Sequence, residues 1–327
     1  MSEATPIGRE VPRSYGAPVT MRSKLMLEAA SYLVGSPDWA ERQVEIHFRD
    51  QGDDSWKVRF FASDSPRSIE AVVRGDADIA ICNPGAVLAM ALHGAGPFKE
   101  PIPVRSILVL PQWDLLCFAV TNKTGLTSLA DLRDKKYPLR LGVRTQPDHS
   151  VHLIMNEVLS KFGFSVNDIE SWGGKLYYSN EMPQGPARLG AVRRGELDAI
   201  FDEAFRAFAG PALDAGMRFL PVDEPQLSEL DAMGLRRIAI PADRYGLEKD
   251  VWTVNFSGWP VFCLDSTSDH IVSQFCGAVE AKKDRVPWYG DGPMRLDQMC
   301  KDTTEGPLTI PLHPAAERFW KERGYIS

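Results

Sequence analysis

IEAVVRGDADIAICNP, residues 69–84, reads as the end of a helix, an Arg-Gly-Asp break and a short apolar strand that stops at Asn-Pro. Gly75 supplies the left-handed backbone that closes a helix without a Cβ penalty. Residues 78–82 have the length and composition of a buried strand. The same order returns at residues 189–203, LGAVRRGELDAIFDE, with Gly195 as the stop and residues 197–201 as the strand. Both copies carry Arg-Gly-acid-x-Asp. A helix–stop–strand unit found twice, far apart, predicts two similar α/β lobes whose strand ends face a shared cleft.

The composition agrees with that size. The 327 residues hold two lobes of ordinary domain length. Hydrophobic content of 44% and charged content of 25% are those of a soluble globular chain. A net charge of −7 opposes nucleic-acid binding, which needs a basic face. Cys82, Cys117, Cys263, Cys276 and Cys300 form no CxxC pair, so they read as buried free thiols rather than a zinc site or disulfide framework. No apolar run is long enough to span a bilayer, and no membrane insertion is expected. Residues 1–20 are polar, lack an apolar core and read as a loose arm, not a secretory signal. That reading places the chain in the cytoplasm, or in the periplasm if a leader has been removed.

Strands are expected near residues 44–48, 56–61, 104–110, 115–121, 139–143, 175–179, 218–222 and 236–240, with an extended stretch at 252–264 broken at Gly258. Helices are expected at 25–34, after 63–66, from 85 to 93, at 149–162, 186–194 and 204–215, and after Asp265 and His313. This alternation means α/β with mostly parallel sheets, and in such sheets ligands sit beyond the carboxyl ends of strands. The rule selects residues 63–65, 83–85, 144–150 and 202–205. Crossings between lobes are expected near 122–124 and 249–253. One lobe would then hold 21–121 and 251–327, the other 122–250.

Several of these stretches together resemble one family. They are residues 75–80, the loop after Leu141-Gly142-Val143, the repeat at 195–201 and the ending Pro311-Leu312-His313-Pro314-Ala315-Ala316-Glu317-Arg318-Phe319. Over residues 25–325 the chain resembles the TAXI-family solute-binding receptors of TRAP transporters. The resemblance implies a two-lobed type II periplasmic-binding-protein-like fold, α/β in class, with a ligand cleft between the lobes. It also implies a small, carboxylate-bearing ligand, TRAP membrane subunits as partners and no cofactor. The family's secretion leader and its Gly/Thr/Tyr-rich first ligand loop have no counterpart here. The same fold serves some enzymes, including aromatic-acid decarboxylases, and cytoplasmic sensors.

Each candidate ligand residue carries a second, purely structural reading. Ser63, Asp64 and Ser65 precede a helix, where they cap it or help its N–H groups hold an anion. Asn83 forms a turn or touches ligand. Arg144 offers a planar fork that grips a carboxylate through two N–H groups; otherwise it is a surface ion pair in a loop. Thr145, Gln146, His149 and Ser150 surround the same helix start. Asp202 and Glu203 end the second unit's strand, where they bind an amine or water, or favour the following helix through its dipole. Phe205 would wall a ligand, and Trp252 belongs in the core. No nucleotide, zinc-protease or serine-hydrolase motif is present, so no cofactor and no metal are implied.

Two functions follow. The first is capture of a small organic anion between the lobes. The second is a cytoplasmic decarboxylase or hydrolase acting on an aromatic carboxylic acid, with His149, Asp202 and Glu203 as acid–base groups. A buried His–carboxylate pair within hydrogen-bond reach would mark the enzyme.

Overall fold

The structure is a computed structural model that describes residues 18–36, 43–49, 55–61, 67–146, 149–286, 288 and 292–327. In chain order its elements are α1 (Pro18–Val34), β1 (Gln43–Arg49), β2 (Ser55–Phe61), α2 (Arg67–Val73), β3 (Ile79–Ile81), α3 (Gly85–His93), β4 (Val104–Leu110) and β5 (Cys117–Thr121). Next come α4 (Leu129–Asp134), β6 (Arg140–Arg144), α5 (Ser150–Lys161), α6 (Val166–Ser171), β7 (Lys175–Ser179), α7 (Leu189–Arg193), β8 (Ala199–Asp202), α8 (Phe205–Asp214) and β9 (Met217–Phe219). The last are α9 (Gln226–Ala232), β10 (Arg237–Ile240), α10 (Ala242–Tyr245), β11 (Val251–Val254), β12 (Trp259–Leu264), α11 (Asp269–Lys282), α12 (Leu296–Met299) and α13 (Pro314–Glu322).

The repeated units occupy equivalent places in two five-stranded sheets. Gly75, at φ +72°, lies between α2 and β3, which runs parallel to β2. Gly195, at φ +75°, lies between α7 and β8, which runs parallel to β6. Their turns are bonded alike. Gly75 N donates to the Val72 carbonyl and Asp76 N to that of Ala71; Gly195 N donates to Val192 and Glu196 N to Ala191. This is the six-to-one and five-to-two pattern of a helix stop that needs a left-handed residue.

The first sheet has the order β1-β2-β3-β12-β4 and the second β7-β6-β8-β5-β9. Each contains one strand, antiparallel to both its neighbours, that arrives from the other side of the molecule. β5 enters the second sheet between β8 and β9, and β12 returns to the first between β3 and β4. The strands therefore change sheet at residues 111–116 and 255–258, not at 122–124 and 249–253. Asn122–Thr124 is a 3-10 turn after β5, and Val251–Val254 is a strand paired with β10. The two crossing segments pair with each other. Leu116 N donates to Val254, Phe256 N to Asp114 and Gly258 N to Gln112. Ser257 fastens the ladder: its Oγ accepts from Asp114 N at 2.8 Å and donates to the Asp114 carbonyl at 2.9 Å.

An apolar core runs across the lobes. Val87–Ala91 of α3 share one buried cluster with Ile154, Val158 and Leu159 of α5 and Leu227 and Leu230 of α9. The lobes therefore meet through α3 and α5. A separate cluster lies under α11 and α13, where Trp320 is fully buried and donates its indole N–H to the Ile107 carbonyl at 2.8 Å. His313 begins α13, its Nδ1 accepting from Ala315 N, with Pro314 at the first turn. α1 covers the expected 25–34 but begins at Pro18, within the stretch expected to be a loose arm, the rest of which lies outside the described residues; Leu25, Met26 and Tyr32 are exposed on it. Trp252 is also no core residue; it is 44% exposed on β11.

All five cysteines are buried, and among the described residues none is in a disulfide. Burial pushes the thiols of Cys263 and Cys300 up to about 12. Among the described residues no helix is long and apolar enough to cross a membrane, and no cluster of three His, Cys, Asp or Glu side chains suits a metal.

Candidate functional site

The parallel strands β6 and β8 end side by side, and their last residues are Arg144 and Asp202. Both side chains turn inward. Arg144 is not a loop residue free for a ligand: it is the buried end of β6, and its fork is already filled. Its Nε donates to Asp202 Oδ1 at 2.9 Å, and its Nη2 binds the Glu203 carboxylate. Asp202 is fully buried and is held from its other side by Nη1 of Arg188, which is also fully buried. Arg188 Nη2 donates to the Gly142 carbonyl at 3.1 Å. Burial alone would push the Asp202 carboxyl up, but the Arg188 and Arg144 guanidiniums outweigh it and hold the group below the usual carboxylate range.

A third carboxyl comes from the first crossing segment. Asp114 caps α8: its oxygens accept from Phe205 N at 2.7 Å and Ala204 N at 3.1 Å, and also from Leu115 N at 2.8 Å. Burial pushes the Asp114 carboxyl above its ordinary value, although the Glu203 carboxyl within hydrogen-bond reach and these N–H donors act the other way. The cluster thus sets two guanidiniums against two carboxylates, with a third carboxyl biased toward its neutral form. It has no spare positive charge.

The helix start after β6 adds more polar atoms. His149 is the N-cap of α5, its Nδ1 accepting from Val151 N at 3.1 Å. That bond leaves the neutral ring's proton on Nε2, which lies 4.0 Å from Glu203 Oε1. Four buried polar atoms in the segments flanking the cluster have no partner among the described residues: Gln146 Oε1, Ser150 Oγ, Gln184 Oε1 and Arg188 Nε. His152 Nε2 is a fifth; burial and then the neighbouring His149 hold this imidazole below its ordinary value, so it is neutral near pH 7. Buried polar groups are nearly always paired with protein, water or ligand.

Other expected residues lie elsewhere or play other parts. Thr145 is exposed and Asn83 half-buried at the end of β3. Phe205 is fully buried, packed edge-on to Trp113, Phe219 and Tyr245, so it fills a core rather than walling a ligand. Ser63, Asp64 and Ser65 lie outside the described residues. Arg188 and Asp114 escaped the sequence reading. One signal for Arg188 existed: a cation at the N-cap of a helix opposes the dipole and calls for a nearby acid.

A large cavity lies away from these strand ends. It measures about 910 Å³ and is lined by Asn122, Arg218, Asp223, Lys249 and Trp252 among others. The antiparallel register pairs Cys117 with Asp202 and Val120 with Ala199, so Asn122 lies at the opposite edge of the second sheet from Asp202.

Two sheets, each completed by a strand that has crossed a paired two-segment hinge, define a two-lobed type II periplasmic-binding-protein fold. The chain belongs to the NMT1-like family, which residues 62–324 match. Its structure is similar to that of the L-cystine solute receptor of Neisseria gonorrhoeae in the unliganded open conformation, at 13% identity and a TM-score of 0.29, over 66% of this chain and 65% of that one. It is similar to the glycine/betaine/L-proline-binding protein ProX of Borrelia burgdorferi, at 13% identity and a TM-score of 0.34, over 60% and 59%. A TctC solute-binding protein from Polaromonas shows 16% identity and a TM-score of 0.33, over 62% of each chain. The chain therefore spans between 59% and 65% of the length of these three proteins.

Proposed function

We propose that this protein is a two-lobed binding protein that captures a small organic anion at the strand ends of its second lobe, in the manner of the TAXI-family receptors it resembles. The observation that supports this reading is the set of unpartnered buried atoms beside Arg144, at the carboxyl edge of β6 and β8 where ligands of such sheets sit. An incoming carboxylate takes the place of Glu203 on the Arg144 fork. Ser150 Oγ and Arg188 Nε donate to it, and Gln146 and Gln184 accept from any hydroxyl it carries. Because α3 and α5 are in contact, entrance requires the lobes to part at the hinge. Partners in this reading are the membrane subunits of a TRAP-type transporter, and it requires the periplasmic alternative for location.

The enzyme reading meets its own test poorly. The His149–Glu203 separation of 4.0 Å is beyond hydrogen-bond reach, and the facing Glu203 oxygen is bound by Arg144. Titration calorimetry with a panel of small mono- and dicarboxylates decides between the two. Binding without turnover, lost in Arg144→Ala by at least about thirtyfold and partly kept in Arg144→Lys, supports the receptor. Product formation from an aromatic acid, abolished by His149→Ala, would establish the enzyme instead.

A further inference from the structure

A second polar recess lies at the first crossing segment. It measures about 170 Å³ and is lined by Pro111, Gln112, Trp113, Arg206, Arg244 and Glu305. Arg206 is the second residue of α8 and Arg244 belongs to α10, so the two cations come from separate elements. Arg244 is set on an aromatic platform. Its guanidinium centre lies 4.6 Å from the Trp113 ring and 5.6 Å from that of Tyr245. The two rings are 6.4 Å apart and nearly parallel, at 11°, and Phe205 packs edge-on against each. A guanidinium stacked this way keeps its N–H edge free for an acceptor.

Arg206 and Arg244 line the same recess. Burial pushes the Tyr245 hydroxyl up, while the positive charges of Arg244 and Arg206 act the other way. Two converging cations repel each other unless an anion lies between them. Among the described residues neither forms an ion pair. Glu305 lines the recess without reaching either, and Asp243 accepts only from Arg244's backbone N–H. Glu305 is tied instead through its carbonyl, which accepts from Gln112 N at 2.7 Å. The recess thus carries two cations and one acid, and its volume suits an ion the size of phosphate or acetate.

We propose that Trp113, Arg206 and Arg244 form a hinge-side binding site for a small oxyanion, separate from the Arg144 cluster. Unlike that cluster, it has positive charge to spare and needs no parting of the lobes. Gln112 and Trp113 belong to the crossing segment, so an anion held here by α8 and α10 also touches the hinge.

The test is titration calorimetry of inorganic phosphate, with acetate as the carboxylate counterpart, into the full chain at constant ionic strength. Saturable binding of either ion is expected, weakened about tenfold in Arg206→Gln and in Arg244→Gln and lost in the double variant. Trp113→Leu keeps both charges and removes the platform, and should bind more weakly than the parent. Thermal melts establish that each variant is folded. Arg144→Lys should bind phosphate as the parent does, so a failure at Arg144 and a failure here read differently. Absence of saturable binding of both ions by the parent, or equal binding by the folded double variant, would overturn the proposal.

Discussion

At the residue scale the decisive finding is that Arg144 is spent on its own protein. A guanidinium at a strand end is legible in sequence as a carboxylate grip; that the carboxylates are Asp202 and Glu203 is not, because pairing across β6 and β8 depends on strand order. Both acids were identifiable, and so was the helix start at His149. What could not be read was Arg188, more than forty residues from Arg144 in sequence, and Asp114 on a crossing segment. Arg188 predicts the largest effect. Replacing it with Ala leaves Asp202 fully buried and half-paired, and removing one partner of a buried pair costs about 3–5 kcal/mol. Urea unfolding should show that loss; a change under 1 kcal/mol would mean that solvent reaches Asp202. Arg144→Ala should also lose stability as well as affinity, since the residue is buried and bonded to two acids. The pH dependence follows from the depressed Asp202 carboxyl. Its stabilisation is present above the unfolded value, near pH 4, and disappears as pH falls through the lower folded value.

At the scale of elements the repeated unit was the reliable guide. A glycine stop is a local event, set by backbone sterics within five or six residues, so Gly75 and Gly195 declared themselves without tertiary information. Their environments support a matched experiment. Neither has any atom within 4 Å of an added Cβ, so Ala at either site meets only the strain of the left-handed backbone. Gly75→Ala and Gly195→Ala should each lose about 1–2 kcal/mol in denaturant unfolding, and the double variant should lose their sum because the sites are in different sheets. Strongly unequal losses would show that the two units are not equivalent. Elements whose identity depends on packing were harder. The short helices α6 and α9 have little apolar periodicity of their own, and the four residues of α10 are mostly polar. Trp252 looked like core because tryptophan usually is, but its strand forms a two-stranded ladder with β10 and leaves the ring at a cavity.

At the scale of the molecule the hinge controls what the lobes can do, and its position was misplaced by sequence for a physical reason. β5 and β12 are continuous with the crossing segments, and nothing in an apolar run shows where it leaves one sheet for another. Asp114 stands at the centre of that passage. Its backbone is fastened to Ser257 of the return segment, while its carboxyl caps α8 of the second lobe and faces Glu203. Ser257→Ala removes both bonds to Asp114 and should lower stability by about 1–2 kcal/mol in denaturant unfolding. The carboxyl itself is a pH-sensitive part. A carboxyl whose folded value lies above its unfolded one contributes stability that is complete below the unfolded value and is lost as pH rises through the folded value. For Asp114 that loss begins near pH 4 and runs upward, opposite in direction to Asp202. Asp114→Asn keeps an oxygen for the Leu115 and Phe205 N–H groups but cannot ionise beside Glu203. Unfolding free energies of parent and variant, measured at pH 4.5 and 7.5, should differ more in the parent's favour at the lower pH. A constant difference across that window would mean that Asp114 is charged throughout, and that the cluster holds three carboxylates on two guanidiniums.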